Sequence, residues 1–216
     1  ILSVTPLAGA SLDTMYSGNL AELCPVGALT LKDFRFKTRP WNLTTTASVC
    51  PLCSTGCNIY IDTKDNKILR IRNRFNSDVN GRWLCDEGRL GYKFVNADNR
   101  LAAPRVAGKD INWDDALKAA ADGLRAVAKE YGDGALAAVC SASLTNEEIF
   151  IYKKIAGILG IKNGDYKLND MEADSAARED NILRRLDKSP NTSGIRAICS
   201  GVEFEARGSK LAEKIL

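Results

Sequence analysis

The sequence predicts a mixed α/β fold, in which a small β-rich domain precedes the beginning of a doubly wound α/β domain. Two observations support this fold class. Short apolar runs bounded by turn residues occupy residues 47–103, and from residue 104 onward helical apolar patterns alternate with short buried-strand patterns. The predicted domains are therefore residues 1–46, 47–103 and 104–216.

The β-rich region is predicted to contain a hairpin. Asn58–Asp62 reads as a short strand, Lys64–Asn66 is rich in turn-forming residues, and Ile68–Arg72 reads as the returning strand. Asn80 and Gly81 then mark a further turn.

The following region shows helical patterns with clear boundaries. Asn112 is a good N-cap for a helix that begins at Trp113, and Gly132 is a good stop for it. Residues 135–140 form an apolar run typical of a buried strand, and a second helix is predicted from the polar cap at residues 143–148 to Gly160.

The C-terminal part is less regular. Residues 162–193 are polar and weakly patterned, which predicts a long surface segment, whereas Ile195–Cys199 is apolar enough for a further strand and Lys210–Leu216 for the opening of a helix. Cys140 and Cys199 lie in apolar runs and are predicted to be inert core thiols.

Composition excludes several classes of function. The chain has 216 residues with 30 Lys and Arg against 27 Asp and Glu, so no strong positive field indicates nucleic acid. It has no histidine, which removes His-ligated metals and Ser/His/Asp triads. No apolar run approaches the length of a membrane span, so no direct membrane insertion is expected. The chain starts with Ile1, and we expect it to be a piece of a longer polypeptide.

Four cysteines carry the strongest chemical signal. Cys50, Cys53 and Cys57 lie within eight residues, and Cys85 follows after 27 intervening residues. Four thiolates are the ligand set of a [4Fe–4S] cluster, which would make the chain an electron carrier. A structural zinc ion is the first alternative, although zinc sites usually use two C-x2-C pairs. A redox-active C-x-x-C dithiol is another, but it explains only two of the four cysteines.

Cys24 is a further candidate ligand, because Cys24-Pro25 matches the end of the C-x2-C-x2-C-x3-C-P run of bacterial ferredoxins. The three preceding positions of that run hold Thr14, Ser17 and Leu20 instead of cysteine. Cys24 is therefore a remnant, a buried free thiol, or the last ligand of a second cluster whose other ligands lie upstream, and residues 1–46 would be the tail end of a ferredoxin-like region.

These motifs resemble a known family. The quartet, with residues 87–92 and 100–104, resembles the cluster-binding entry domain of the molybdopterin oxidoreductase superfamily. The stretch from Cys24 to Thr30, followed by residues 34–41, is similar to the large iron–sulfur subunit of bacterial NADH:quinone oxidoreductase, respiratory complex I. Residues 181–191 also resemble part of that large iron–sulfur protein.

The resemblance implies an electron-transfer subunit without catalytic residues of its own. Cys50, Cys53, Cys57 and Cys85 would ligate one [4Fe–4S] cluster, and Cys24 would be the last ligand of a second. It further implies other hydrophilic subunits as partners, a position on the cytoplasmic side of the inner membrane through the complex, and a later domain that keeps the molybdopterin-binding fold without molybdopterin.

The main rival is a molybdenum or tungsten enzyme such as a formate dehydrogenase. Such enzymes commonly have lysine two residues after the fourth cysteine, where this chain has Glu87, and a carboxylate is a poor bridge toward an anionic pterin. A purely structural metal domain is the third possibility. Arg82, Arg89 and Lys93 either stabilise a reduced cluster or are solvated surface charges.

Overall fold

The computed structural model describes residues 12, 14–168 and 179–199. They form two compact units, of which the first contains residues 12, 14–98 and 179–186, and the second contains residues 99–168 and 187–199. The domain boundaries after residues 46 and 103 remain predictions, and the predicted helix at Lys210–Leu216 lies outside the described residues.

The first unit is built around a three-stranded antiparallel sheet in the order β1-β2-β3. Its elements are α1 (Asn19–Leu23), β1 (Thr44–Val49), β2 (Asn58–Lys64), β3 (Lys67–Asn73) and α2 (Asp86–Leu90), with 3₁₀ turns at Pro40–Asn42 and Gly91–Asn96.

The predicted hairpin is confirmed as β2 and β3. Asp65 and Asn66 connect the two strands with φ angles of 50° and 58°. Positive φ at both central residues is the requirement of a two-residue type I′ turn, and Asp and Asn tolerate it better than most residues. The turn therefore sets the register beside it, where Lys64 lies opposite Lys67, and a β-bulge between Asp62 and Thr63 then shifts the pairing by one residue, so that Ile59 lies opposite Asn73.

The core of this unit includes two of the candidate ligands. A single cluster of buried side chains contains Cys50, Cys57, Ile59, Ile71, Leu84, Tyr92 and Leu183. The cysteine loops thus lie against the apolar face of the sheet, where water has little access.

A buried carboxylate joins the three strands. The Asp62 side chain in β2 is fully buried and accepts hydrogen bonds from Thr45 Oγ1 (2.7 Å), Arg70 Nε (2.6 Å) and Arg72 Nε (2.8 Å). Burial on its own would raise the pKa of Asp62, but the hydrogen bonds from Arg72, Thr45 and Arg70 hold it below its usual value. The charge is therefore stabilised by partners on both neighbouring strands.

The second unit combines a small hairpin with a parallel β-α-β arrangement. Its elements are β4 (Arg105–Val106), β5 (Lys109–Asp110), α3 (Trp113–Tyr131), β6 (Ala137–Ser141), α4 (Asn146–Ile158), β7 (Asn163–Lys167) and α5 (Thr192–Cys199). In the described part of the chain, no helix has both the length and the apolar character needed to cross a lipid bilayer.

The predicted helices of this unit are confirmed at their caps. Asn112 Oδ1 accepts a hydrogen bond from the Asp115 N–H at 2.8 Å, and Gly132 ends α3 with a φ of 83°. At α4, Thr145 and Glu148 form a reciprocal capping box. The predicted strand at residues 135–140 is also confirmed, as β6.

Two predictions about the C-terminal region were wrong. Residues 195–199 belong to helix α5, because Thr192, Ile195 and Cys199 are buried at spacings of three and four, which is helical periodicity. The predicted surface segment contains β7, which pairs in parallel with β6 and buries Tyr166. Its polar sequence carries no apolar strand pattern, and only the pairing with β6 makes it a strand.

We expect Asp62→Asn to destabilise the first unit by about 2–3 kcal/mol, because it removes a buried charge that satisfies two arginines. Since the pKa of Asp62 is lowered in the folded state, its contribution is present above the unfolded value of about 3.9 and is lost as the pH falls through the folded value. Urea unfolding of the variant and the parent from pH 7 to pH 3 measures this difference.

The matched control is Asp65→Asn, in the exposed turn of the same hairpin, where asparagine suits the positive φ equally well. This control should unfold like the parent. A difference between Asp62→Asn and the parent that stays constant below pH 4 would contradict the assignment of the effect to the carboxylate charge.

Candidate metal centre

The first three cysteines occupy one tight loop between β1 and β2. The Cys50 N–H donates to the Cys57 carbonyl oxygen at 2.8 Å and closes the loop at its base, and Gly56 has a φ of +63°. Cys50, Cys53 and Cys57 are 4%, 8% and 3% exposed. Three buried thiols are thus held on one short piece of backbone whose ends are fixed by the sheet.

Cys85 comes from a second loop and caps helix α2. Its Sγ accepts a hydrogen bond from the Gly88 N–H at 3.3 Å. A Cβ atom at Gly88 would lie 3.3 Å from Cys50 Sγ and 3.5 Å from Cys85 Sγ. Because Gly88 has no side chain, the thiols of Cys50 and Cys85 can both lie next to its backbone. The two cysteine loops therefore meet at Gly88.

The thiols influence one another electrostatically. Burial raises the pKa of Cys50 to about 11 and that of Cys57 to about 12, and the proximity of Cys53 and Cys85 adds to both. All seven cysteines of the chain are described and are free thiols. Four buried thiols are a donor set suited to a positively charged metal centre, which favours the thiolate form.

Asn80 connects the second loop to the end of the first. It is 3% exposed, its Oδ1 accepts from the Asn58 N–H at 2.9 Å, and its Nδ2 donates to the Trp83 carbonyl at 3.0 Å. Asn58 directly follows Cys57, and Trp83 lies two residues before Cys85. The predicted Asn80–Gly81 turn thus also sets the spacing between the two cysteine loops.

Asn19 and Arg89 fix the backbone beside Cys85. Asn19 donates to the Leu84 carbonyl at 2.8 Å and accepts from the Leu84 N–H at 3.2 Å. Arg89 is 1% exposed, and its guanidinium donates to Asn19 Oδ1 at 2.8 Å and to Glu22 Oε1 at 2.5 Å. Helix α1 therefore holds the peptide that precedes the fourth candidate ligand.

Asp86 makes the complementary contacts from the other direction. Its N–H donates to the Met15 carbonyl at 2.6 Å, and its carboxylate accepts from the Gly18 N–H at 2.8 Å and from Ser17 Oγ. Both neighbours of Cys85 in sequence are thus anchored to residues 15–19.

The three basic residues near Cys85 have different roles. Arg89 is buried and paired, so it is not the solvated surface charge considered as an alternative. Arg82 is exposed and its guanidinium lies 4.7 Å from the centre of the Phe75 ring, and Lys93 is exposed and pairs with Asp33 at 2.6 Å.

Sequence reasoning missed the roles of three residues that shape the site. Asn19 carries no motif, Leu183 was noted only within a stretch that resembles the family, and Asn80 was recognised only as a turn residue. Leu183 is 5% exposed and packs with Cys50 and Cys57 in the core. Only the three-dimensional structure reveals these contacts.

Cys24 lies at a separate place. It follows α1, and the Leu29 N–H donates to its Sγ at 3.5 Å, which lowers the pKa of Cys24. It lines a cavity of about 430 Å³, to which Arg70 and Arg72 also contribute and whose lining includes none of the quartet.

Among the described residues, no group of three or more Cys, Asp or Glu side chains has the geometry of a metal site. The four thiols of the quartet are thus buried without forming a preassembled metal site.

Comparison with known sequences identifies two family domains. Residues 43–97 match the molybdopterin oxidoreductase Fe4S4 domain, and residues 100–194 match the molybdopterin oxidoreductase domain. The first match covers all four cysteines of the quartet.

Individual relatives agree with this. The chain is 37% identical over 147 residues, 68% of its length, to the alpha subunit of the NADPH-Fe(3+) oxidoreductase of Geobacter sulfurreducens, of which it covers 17%. It is 33% identical over 174 residues to the G subunit of the NADH-quinone oxidoreductase of Streptomyces coelicolor, with 78% of this chain and 20% of the relative covered. It is 35% identical over 181 residues to the corresponding G subunit of Pseudomonas putida, with 83% and 19% covered.

The chain spans about a fifth of the length of these curated relatives. The two family matches together cover about two thirds of it, in the same order as the predicted cluster domain and α/β domain. The chain therefore belongs to the molybdopterin oxidoreductase family, includes its Fe4S4 domain, and is similar to the G subunits of NADH-quinone oxidoreductases.

Proposed function

We propose that Cys50, Cys53, Cys57 and Cys85 ligate one [4Fe–4S] cluster and that the protein is an electron-transfer subunit. The observation that carries this proposal is the burial of all four thiols inside the matched Fe4S4 domain, with those of Cys50 and Cys85 next to the bare backbone of Gly88. When bound, such a cluster accepts and releases one electron at a time. The chain's own part is to supply four thiolates, exclude water and keep the ligands in place.

The pattern of the donors in the sequence favours a cluster over the zinc alternative. Structural zinc sites usually use two C-x2-C pairs, whereas this chain has three cysteines within eight residues and a distant fourth.

The larger assembly is proposed to be an NADH:quinone oxidoreductase. Alignments with the G subunits extend over 78% and 83% of this chain, against 68% for the alpha subunit of the NADPH-Fe(3+) oxidoreductase. The partners would be the other hydrophilic subunits, at the cytoplasmic face of the inner membrane. Exposed apolar side chains near Cys24 in sequence, such as Val26 (83%), Phe36 (90%) and Trp41 (78%), support a partner surface there.

Cys24 is proposed as the last ligand of a second [4Fe–4S] cluster, whose other ligands belong to an upstream ferredoxin-like region. Its sulfur accepts a backbone N–H and lines a cavity, which are features of a ligand loop. With only this one cysteine there, the 216-residue chain would assemble one cluster.

No molybdopterin is proposed for this chain. Glu87, two residues after Cys85, presents negative charge at the position where related molybdenum and tungsten enzymes commonly have lysine. Elemental analysis for molybdenum and tungsten tests this directly, and a stoichiometric amount of either metal would contradict it.

We expect the anaerobically purified, dithionite-reduced protein to give a fast-relaxing S = 1/2 EPR signal at low temperature. Cys53→Ala should abolish the signal because it removes a ligand, whereas Cys140→Ala, which removes a buried thiol of the second unit, should keep it. Zinc in place of iron, or a bound iron cluster that no reductant converts to the signal, would overturn the electron-transfer proposal in favour of a structural metal domain.

Iron content separates the two proposed clusters. The chain should bind about four iron atoms, the content of one [4Fe–4S] cluster, and Cys24→Ala should not change that number. A loss of iron in Cys24→Ala would show that Cys24 contributes to the cluster of the quartet.

We expect Gly88→Ala to lower the iron content at least about threefold, because the added Cβ would lie only 3.1 Å from Leu84 Cδ1 and 3.3 Å from Cys50 Sγ and would displace the Cys50 thiol. Gly123→Ala is the control, since a Cβ at this helical glycine of α3 meets no atom within 4 Å. Equal iron content in both variants would contradict the placement of the cluster beside Gly88.

A further inference from the structure

Residues 179–186, here called the return segment, form a closed turn within the first unit. Asp180 Oδ1 accepts the backbone N–H groups of Ile182 (2.9 Å), Leu183 (2.9 Å) and Arg184 (3.1 Å), and the Asp180 N–H donates to the Arg184 carbonyl at 3.2 Å. The turn is thus held by its own hydrogen bonds and can present fixed side chains.

The return segment packs directly on the loop of the first three cysteines. Leu183 is 5% exposed and belongs to the same buried cluster as Cys50 and Cys57. Thr55, which lies between Cys53 and Cys57, donates its hydroxyl hydrogen to the Leu183 carbonyl. An apolar side chain and a hydrogen bond therefore join the segment to the cysteine loop.

Tyr16 attaches the same segment from the other side. Its hydroxyl donates to Asp180 Oδ2 at 2.7 Å and accepts from the Leu183 N–H at 3.2 Å. Burial is the largest cause of the raised pKa of Tyr16. Cys85 lies near enough that a thiolate there would raise the pKa further. The return segment thus contacts the surroundings of both cysteine loops.

Arg184 brings a positive charge to Glu87. Its side chain is 9% exposed, and Arg184 Nε lies 3.9 Å from Glu87 Oε2. Glu87 is on α2, two residues after Cys85, and its charge adds to the effect of burial in raising the pKa of Cys50. The pair therefore places one negative and one positive charge next to the quartet.

We propose that the return segment is a cap that closes the cysteine site against solvent, and that Arg184 is a positioning residue that offsets the charge of Glu87 and so sets the reduction potential of the cluster. This inference rests on the proposed [4Fe–4S] cluster. Reduction adds one electron and hence one negative charge, which a nearby cation stabilises and a nearby carboxylate opposes. No bond is formed or broken in this step.

A double-mutant cycle tests the charge offset. In anaerobic redox titrations followed by EPR, we expect Arg184→Met to lower the ratio of reduced to oxidised cluster at a fixed potential by about tenfold, which is 59 mV for a one-electron couple. Glu87→Gln should raise this ratio, and the double variant should return close to the parent. Arg185→Met is the control, because Arg185 is an exposed arginine of the same segment.

The outcomes separate this inference from the proposed function. A parent protein without a reducible cluster would overturn the proposed function itself. A parent that titrates normally, with Arg184→Met and Glu87→Gln both unchanged, would overturn only the charge offset. If Arg184→Met fails to bind the cluster, Arg184→Lys, which keeps the positive charge, should retain the parent's reduction potential. The direction of the shift in Glu87→Gln then tests the charge offset: a higher reduction potential supports it, and an unchanged or lower one overturns it.

The cap is tested by the rate at which the cluster bleaches in air. Leu183→Ala should accelerate bleaching at least about fivefold, because it opens the core beside Cys50, and Thr55→Val should act in the same direction. Ile182→Ala is the control, since Ile182 is 57% exposed on the same turn. Equal rates in Leu183→Ala and Ile182→Ala would overturn the cap.

Discussion

The buried guanidinium of Arg89 holds together two parts of the chain that must meet before the fourth cysteine can face the other three. Its side chain has no exposed surface and is paired with Glu22 and Asn19, which lie 67 and 70 residues earlier in sequence. A buried charge without partners costs several kcal/mol, so this group requires helix α1 in place. Because Asn19 also binds both backbone groups of Leu84, the same network fixes the peptide in front of Cys85.

Two of the thiols stay protonated and neutral unless a metal centre binds them. Burial and the proximity of the other cysteines raise the pKa values of Cys50 and Cys57, so these two groups are poor thiolates by themselves. A metal centre reverses that balance, since it favours the deprotonated form and releases protons as it binds. The scaffold of sheet, Asn80 and Arg89 therefore prepares the positions of the ligands, while the charge balance of the site depends on the metal centre that it is proposed to hold.

Local chemistry explains which parts of the fold were predictable. The hairpin, the caps of α3 and α4 and the loop of the first three cysteines are each encoded within a few neighbouring residues, and sequence patterns predict them. The apolar residues 195–199 predict a strand because five residues do not reveal their period, whereas burial on one face of α5 shows that they are helical. The buried pairing of Arg89 and the packing of Leu183 on the cysteine loop were not predicted, because their partners lie far away along the chain.

Two groups of ion pairs in the first unit differ in geometry. Asp62 with its two arginines, and Arg89 with Glu22, make contacts of 2.5 to 2.8 Å that are oriented by several donors and acceptors, and such contacts fix structure. Arg184 Nε and Glu87 Oε2 are 3.9 Å apart, and Glu87 is 34% exposed, so this contact acts as a charge interaction and not as an oriented hydrogen bond. Next to a redox centre, such a pair is where sequence variation would adjust potential while the frame around Cys85 stays intact.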